Sequence, residues 1–200
     1  MTKKEPFFIV IDGIDGCGSS THCKILASTL ENKGYKVHLT QEPSFSEVGK
    51  LLRKFLKNPS IPPTTDALMF AADRDLHYRN EIKKFMDKGY IVISDRYKES
   101  SIVYQSAQSE EVTVEWVKKI NKFAERPDIT IILDLDTEIA LARKDKDDLE
   151  KFEDSSFLEK VRKLYLKRAE EEDYHVINSD NILELVQEKI QQIVFKKLET

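Results

Sequence analysis

The stretch of residues 7–21, FFIVIDGIDGCGSST, constrains this chain more than any other. A run of apolar β-formers over residues 7–11 gives way to Gly13, Gly16 and Gly18, then to Ser19, Ser20 and Thr21 at the start of a helical pattern. It reads as buried strand, glycine loop and helix start. Half of the chain's six glycines stand here. The backbone amides of such a loop converge at a helix N-terminus, whose partial positive charge adds to theirs, and phosphate is the natural occupant. Gly13 and Gly18 have the spacing of a phosphate-binding loop, yet the position such a loop gives to lysine is Ser19. A glycine turn of this kind also serves plain tight packing, so the rest of the chain has to decide.

The apolar pattern continues as alternating helix and strand. Ile25, Leu26 and Leu30 stripe a helix that Gly34 stops, and residues 35–39 start a second strand ended by Gln41-Glu42-Pro43. A short helix follows over residues 48–56, then a long one over residues 66–88 with Leu68, Ala72, Leu76, Ile82 and Phe85 expected toward the core. Residues 90–94 form a third strand that delivers Asp95-Arg96-Tyr97 at its C-terminal end, where ligands sit in open α/β sheets. Helical patterns at 100–106 and 112–124, a strand at 129–135, helices at 137–143 and from Phe157 to Arg168, a strand at 174–177 and a last helix from Ile182 complete the chain. Such alternation predicts an α/β fold, a parallel sheet of about five strands covered by helices on both faces.

Two hundred residues, 40% hydrophobic and 34% charged, fit one domain over residues 1–200 without disulfide staples. The net charge of −4 argues against a grip on nucleic acid, which needs many basic residues. Cys17 and Cys23 have no Cys or His pair elsewhere to complete a zinc site and read as free thiols of a reducing compartment. No apolar signal core or membrane-length run occurs, so a cytoplasmic protein without membrane partners is expected. Residues 144–151, KDKDDLEK, are charged and without apolar period, as in lids over nucleotide sites, and a lid segment is expected over residues 144–154.

From here the chain resembles the thymidylate kinases, P-loop nucleoside monophosphate kinases of three-layer α/β fold, over nearly its whole length. The likeness rests on Gly13-Ile14-Asp15-Gly16, Glu42-Pro43, residues 49–53, and Leu68-Met69-Phe70-Ala71-Ala72-Asp73-Arg74 with His77. It is carried further by Asp95-Arg96-Tyr97, Ser100-Ser101, Tyr104-Gln105, Pro127-Asp128, Leu133-Asp134 and residues 138–143. The resemblance implies transfer of the ATP γ-phosphoryl group to dTMP with Mg²⁺, by a homodimer joined through helices such as that of residues 66–88.

By resemblance the ATP side comprises Gly13, Ile14, Asp15, Gly16, Cys17, Gly18, Ser19, Ser20 and Thr21, with Arg143 against adenine. The dTMP side comprises Asp15, Glu42, Arg53, Phe70, Arg74, Arg96, Tyr104 and Gln105. Phe70 would stack on thymine, Arg74 would donate to a thymine carbonyl, and Tyr104 would lie against the 2′ edge of the sugar. Arg96 would bridge donor and acceptor phosphates. Asp95 would orient Arg96 or hold magnesium through water, and Ser20 takes the hydroxyl position that ligates the metal. Asp15 would meet the acceptor end of dTMP. Bland alternatives stand beside these roles: a surface ion pair of Arg96 with Asp95, a core Phe70, and Arg74 paired with Asp66 or Asp73. With Ser19 neutral, the missing cation is expected from the lid lysines Lys144, Lys146 and Lys151, acting with Arg96. Alternatives for the whole chain are a nucleotide-binding protein that has lost catalysis, or a kinase preferring dUMP or dGMP.

Overall fold

A computed structural model describes residues 6–143 and 155–199. Five strands, β1 (Phe7–Gly13), β2 (Val37–Gln41), β3 (Ile91–Asp95), β4 (Ile129–Asp134) and β5 (His175–Asn178), form one sheet in the order β2-β3-β1-β4-β5. Every pairing is parallel. Alternation along β1 divides the core: Ile9 and Ile11 enter one large cluster, Phe8 and Val10 another on the opposite face. Both faces are therefore buried, which is why the central strands read as continuous apolar runs.

The register aligns the strand ends. Ile11 and Gln41 each stand opposite Asp95, and Gly13 opposite Leu133. The turn after β1 and the turn after β3 thus open on one edge, the C-terminal edge of the sheet. Helices α1 (Ser19–Asn32), α2 (Glu47–Leu56), α3 (Pro63–His77), α4 (Lys83–Met86), α5 (Lys98–Gln108), α6 (Val114–Ile120), α7 (Thr137–Ala142) and α8 (Ser155–Glu172) lie between the strands, and α9 (Leu183–Leu198) follows β5.

The expected single helix over residues 66–88 is corrected in two ways. It begins at Pro63 and passes through a π-helical turn, Tyr78–Ile82, before α4. Its N-terminal half also presents the opposite face: Leu68 and Leu76 are 51% and 39% exposed and Ala72 is exposed, whereas Asp66, Asp73, Arg74 and His77 are buried. Of the expected core positions, Ile82 at the end of the wide turn and Phe85 beyond it do meet the core. The inversion has a physical cause, because the inward side of α3 covers a polar cleft, where paired charges replace apolar packing.

Candidate active site

The turn after β1 is built around backbone. Gly16 has φ 84°, and a Cβ there would come within 2.5 Å of the Ala140 carbonyl oxygen, so only glycine fits. Gly18 is the N-cap of α1 in left-handed conformation, and no side chain caps this helix, whereas Ser46, Thr113 and Asp136 cap α2, α6 and α7. Helices α3, α5 and α9 lack a side-chain cap as well, but the first turn of α1 lines an open cleft, where its N–H groups can meet an anion. An open cleft of about 970 Å³ lies over residues 16–22, with Arg143, Ser179 and Asn181 on its rim. Arg143 Nη1 reaches the Gly16 carbonyl oxygen at 3.5 Å.

Of the residues expected on this side, Gly16, Cys17, Gly18, Ser19, Ser20, Thr21 and Arg143 line the cleft. Ile14 does not; its side chain is buried in the large core cluster. A Cβ on Gly13 would come within 2.6 Å of the Leu133 carbonyl oxygen and 2.9 Å of Cys17 Sγ. Asp15 turns to the other cleft. Both cysteines are free and buried, and burial pushes the Cys17 thiol up to about 11, so neither is a reactive thiolate. His22, Ser179 and Asn181 also border the cleft and were not anticipated.

The second cleft, of about 720 Å³, lies beyond the ends of β2 and β3 and is lined by all of Asp15, Glu42, Arg53, Phe70, Arg74, Arg96, Tyr104 and Gln105. Arg96 lines this second cleft and bonds back to the glycine turn. Its φ of 70° is a left-handed conformation that costs a non-glycine residue about 1–3 kcal/mol, and such outliers gather at functional sites. Nη2 donates to Asp15 Oδ1 at 2.7 Å, and Nη1 to the Gly13 carbonyl at 2.9 Å and Ser100 Oγ at 2.8 Å. Burial opposes its charge, but Asp15 above all, with Tyr104, Tyr165 and Asp12, holds the guanidinium protonated.

Asp95 does not orient Arg96, contrary to one expectation, and the two form no surface pair. Asp95 Oδ2 accepts the hydroxyl of Ser20, while Oδ1 is buried without a partner. The carboxylate that meets Arg96 from the strand is Asp12, which sequence reasoning missed. It is fully buried and accepts from Gly13 N at 2.9 Å, Ser100 Oγ at 2.7 Å and Tyr165 Oη at 2.7 Å. Burial pushes its carboxyl up, with Arg96 and these hydrogen bonds pulling the other way. An aspartate inside an apolar strand run was the available signal.

The bland alternatives for Arg74 do not hold. It is 1% exposed and pairs with neither Asp66 nor Asp73. Nε and Nη2 donate to Glu42 Oε2 at 2.9 and 2.6 Å, Nη2 also to Ser101 Oγ at 2.9 Å, and Nη1 to Asn121 Oδ1 at 2.5 Å. Asp73 instead takes Ser44 and Ser46, shaping the loop after β2. Arg53 donates to the carbonyls of Pro43 and Ser44 and lies over the Phe45 ring. Tyr104 Oη accepts the Asp15 amide at 3.0 Å and donates to its carboxylate at 3.2 Å. Gln105 is buried with Oε1 unpartnered on the cleft wall. Lys144, Lys146 and Lys151 lie outside the described residues.

A parallel sheet whose glycine turn runs into an uncapped helix, with a charged cleft beside it, is the arrangement of P-loop nucleotide-binding proteins. The family model for thymidylate kinase matches residues 11–190. Relatives named probable thymidylate kinase include one from Pyrobaculum aerophilum, 47% identical over 94% of this chain and 95% of its own. Others come from Pyrobaculum calidifontis, 45% identical over 86% and 87%, and Methanothermobacter thermautotrophicus, 40% over 94% and 93%. The chain belongs to the thymidylate kinase family.

Proposed function

We infer that this protein is an ATP-dependent thymidylate kinase that transfers the γ-phosphoryl group of ATP to dTMP, giving dTDP and ADP. The observation that carries the reading is the position of Arg96, tied to the glycine turn through Gly13 and to the acceptor cleft through Asp15. Phosphoryl transfer is mainly positioning and charge neutralisation, and a fixed cation between two phosphate sites does both.

ATP phosphates are assigned to the amides at the start of α1, with Arg143 toward the adenine. The acceptor is assigned to the second cleft. There Phe70 offers a ring face for the base, Gln105 Oε1 an unused acceptor, and Asp15 and Tyr104 the sugar side. Arg53 and Arg96 bring positive charge toward the acceptor phosphate. Arg74, most of whose donors are taken, acts first as the wall that holds this pocket in shape. Ser20 and Asp95 suit Mg²⁺, a hard cation that prefers oxygen ligands and keeps waters: a hydroxyl bonded to a carboxylate whose second oxygen lacks a partner. Among the described residues no three carboxylate, His or Cys side chains gather into a cage, which also suits a metal bound largely by phosphate. When bound, the ion neutralises charge on the transferring group.

Lys144, Lys146 and Lys151 are assigned the cation that Ser19 lacks, and residues 144–154 the part of a lid within a single domain spanning residues 1–200. A homodimer through α3 is supported by the exposed Leu68, Ala72 and Leu76, one helical turn apart. Among the described residues no helix is long and apolar enough to cross a membrane, and the free buried thiols favour the cytoplasm. Coupled measurement of ADP formation with dTMP, dUMP and dGMP in turn tests the reading. Turnover highest with dTMP supports it; no ADP with any monophosphate overturns it.

A further inference from the structure

Behind the acceptor cleft a second line of charges runs away from the substrate. Glu42 Oε2 carries both Arg74 bonds, and its other oxygen, Oε1, faces His77 Nδ1 at 3.1 Å. The opposite ring nitrogen, Nε2, faces Thr40 Oγ1 at 2.7 Å, and the Thr40 hydroxyl lies 2.6 Å from Glu81 Oε1. Glu81 Oε1 also receives His38 Nε2 at 2.9 Å, and His38 stacks on Phe85 with ring centroids 3.5 Å apart. The π-helical turn after α3 contains Glu81, and such turns mark functional places in helices.

The proton count along this line follows once both of its glutamates are carboxylates. A carboxylate only accepts, and a hydroxyl has one proton. Glu42 Oε2 accepts both Arg74 bonds, and a carboxylate is the form that balances the buried guanidinium beside it. Glu81 Oε1 lies 2.6 Å from the Thr40 hydroxyl and 2.9 Å from His38 Nε2, and its side chain is 31% exposed to water, so it too is taken as a carboxylate. Thr40 then gives its one proton to Glu81 and must accept from His77 Nε2, while His77 Nδ1 must donate to Glu42. Every group near the ring fits this order: Thr40 and Glu42 from β2 and the residues after it, Arg74 from α3, and Glu81 from the wide turn.

We propose that His77 is a buried imidazolium that donates from both ring nitrogens and thereby fixes Glu42, and through it Arg74, on the wall of the acceptor cleft. It is a positioning residue and touches no reacting atom. Its side chain is fully buried, so no water replaces either bond. Arg74, Glu42, His77 and Glu81 then alternate in sign along one line, and each charge is paired. The proposal rests on the assignment of this cleft to the acceptor.

The test has two arms. In the unmodified protein near neutral pH, long-range ¹⁵N–¹H correlation of the imidazoles, with His77 identified by its loss in H77Q, should show two protonated ring nitrogens. One bare nitrogen overturns the proposal. In the second arm, H77L should raise KM for the acceptor about tenfold or more, the size of one lost charge-assisted bond, with kcat and KM for ATP little changed. H77Q, which keeps a donor toward Glu42, should recover part of it. An unchanged KM in both variants, or an equal fall in kcat, overturns the positioning role. Should the unmodified protein phosphorylate no monophosphate, the kinase reading fails, while the nitrogen spectrum still decides the charge of His77.

Discussion

The two clefts at the C-terminal edge of the sheet are built in opposite ways. On the acceptor side nearly every charge is already spoken for inside the protein: Arg74 with Glu42, Arg96 with Asp15, Arg53 with two carbonyls. On the donor side the walls are backbone amides, small hydroxyl side chains and, among the described residues, a single lining cation, Arg143. A cleft that reads a base must hold its shape before the ligand arrives, since ordering it during binding would cost affinity. A triphosphate needs less reading and more charge, and part of that charge arrives with its metal.

Arg96 joins the two halves, and removing it should have the largest effect. R96M is expected to lower kcat by about 10³–10⁵, the usual worth of an arginine at a transferring phosphoryl group. Stopped-flow or coupled ADP assays at saturating ATP and dTMP measure this. A fall of less than about tenfold would remove Arg96 from the junction and leave the comparison without its centre.

Next comes a contrast in stability. E42Q leaves the Arg74 guanidinium buried without its counter-charge, and truncating one side of a buried pair costs about 3–5 kcal/mol. R143A, at an exposed side chain whose one described contact is a long bond to Gly16, should stay within about 0.5 kcal/mol of the parent. Urea unfolding of both variants checks the pair. Equal losses would mean that the donor rim is as structurally committed as the acceptor wall.

A smaller effect is expected from the donor side's missing lysine. Alanine at Lys144, Lys146 and Lys151 together should lower kcat by about one to two decades, the worth of one or two charge-assisted bonds expressed in the transition state. Acceptor KM should change little. Unchanged turnover would show that amides, Arg96 and metal suffice without any lysine, and would make the contrast between the clefts sharper still.

The donor side was the more legible in the sequence, because a glycine loop advertises itself locally. Its strand, turn and uncapped helix all follow from residues adjacent in the chain. That Asp15, Glu42, Arg53, Phe70, Arg74, Arg96, Tyr104 and Gln105 gather on one cleft agrees with the set the resemblance named, but their wiring was not legible. Arg74 sits one residue from Asp73 and eight from Asp66, yet its partner Glu42 comes from the end of β2 and Asn121 from the end of α6. Asp12 meets Tyr165 across more than 150 residues. The α3 face was misread for a related reason: apolar periodicity reports which side is greasy, and here the greasy side points outward while paired charges are buried. The core of β1, β3 and β4 needed no such information, since continuous apolar runs admit few other readings.

The smallest effect lies at the far end of the acceptor line and depends on pH. Glu81 has a carboxyl held below its ordinary value of 4.5, so between the folded and unfolded values the folded chain binds fewer protons. Its contribution to stability is therefore complete above the unfolded value and is lost as pH falls through the folded one. Because the side chain is 31% exposed, that contribution is about 0.5–1 kcal/mol rather than the several expected of a buried charge. E81Q should lower the urea midpoint at neutral pH and converge with the parent in acid, once the native carboxyl is protonated. The opposite trend, a gap that widens in acid, would mean that Glu81 carries a proton in the folded state. Thr40 would then be free to donate to His77, His77 would be neutral, and the acceptor cleft would lose the alternating charges that distinguish it from the open donor loop.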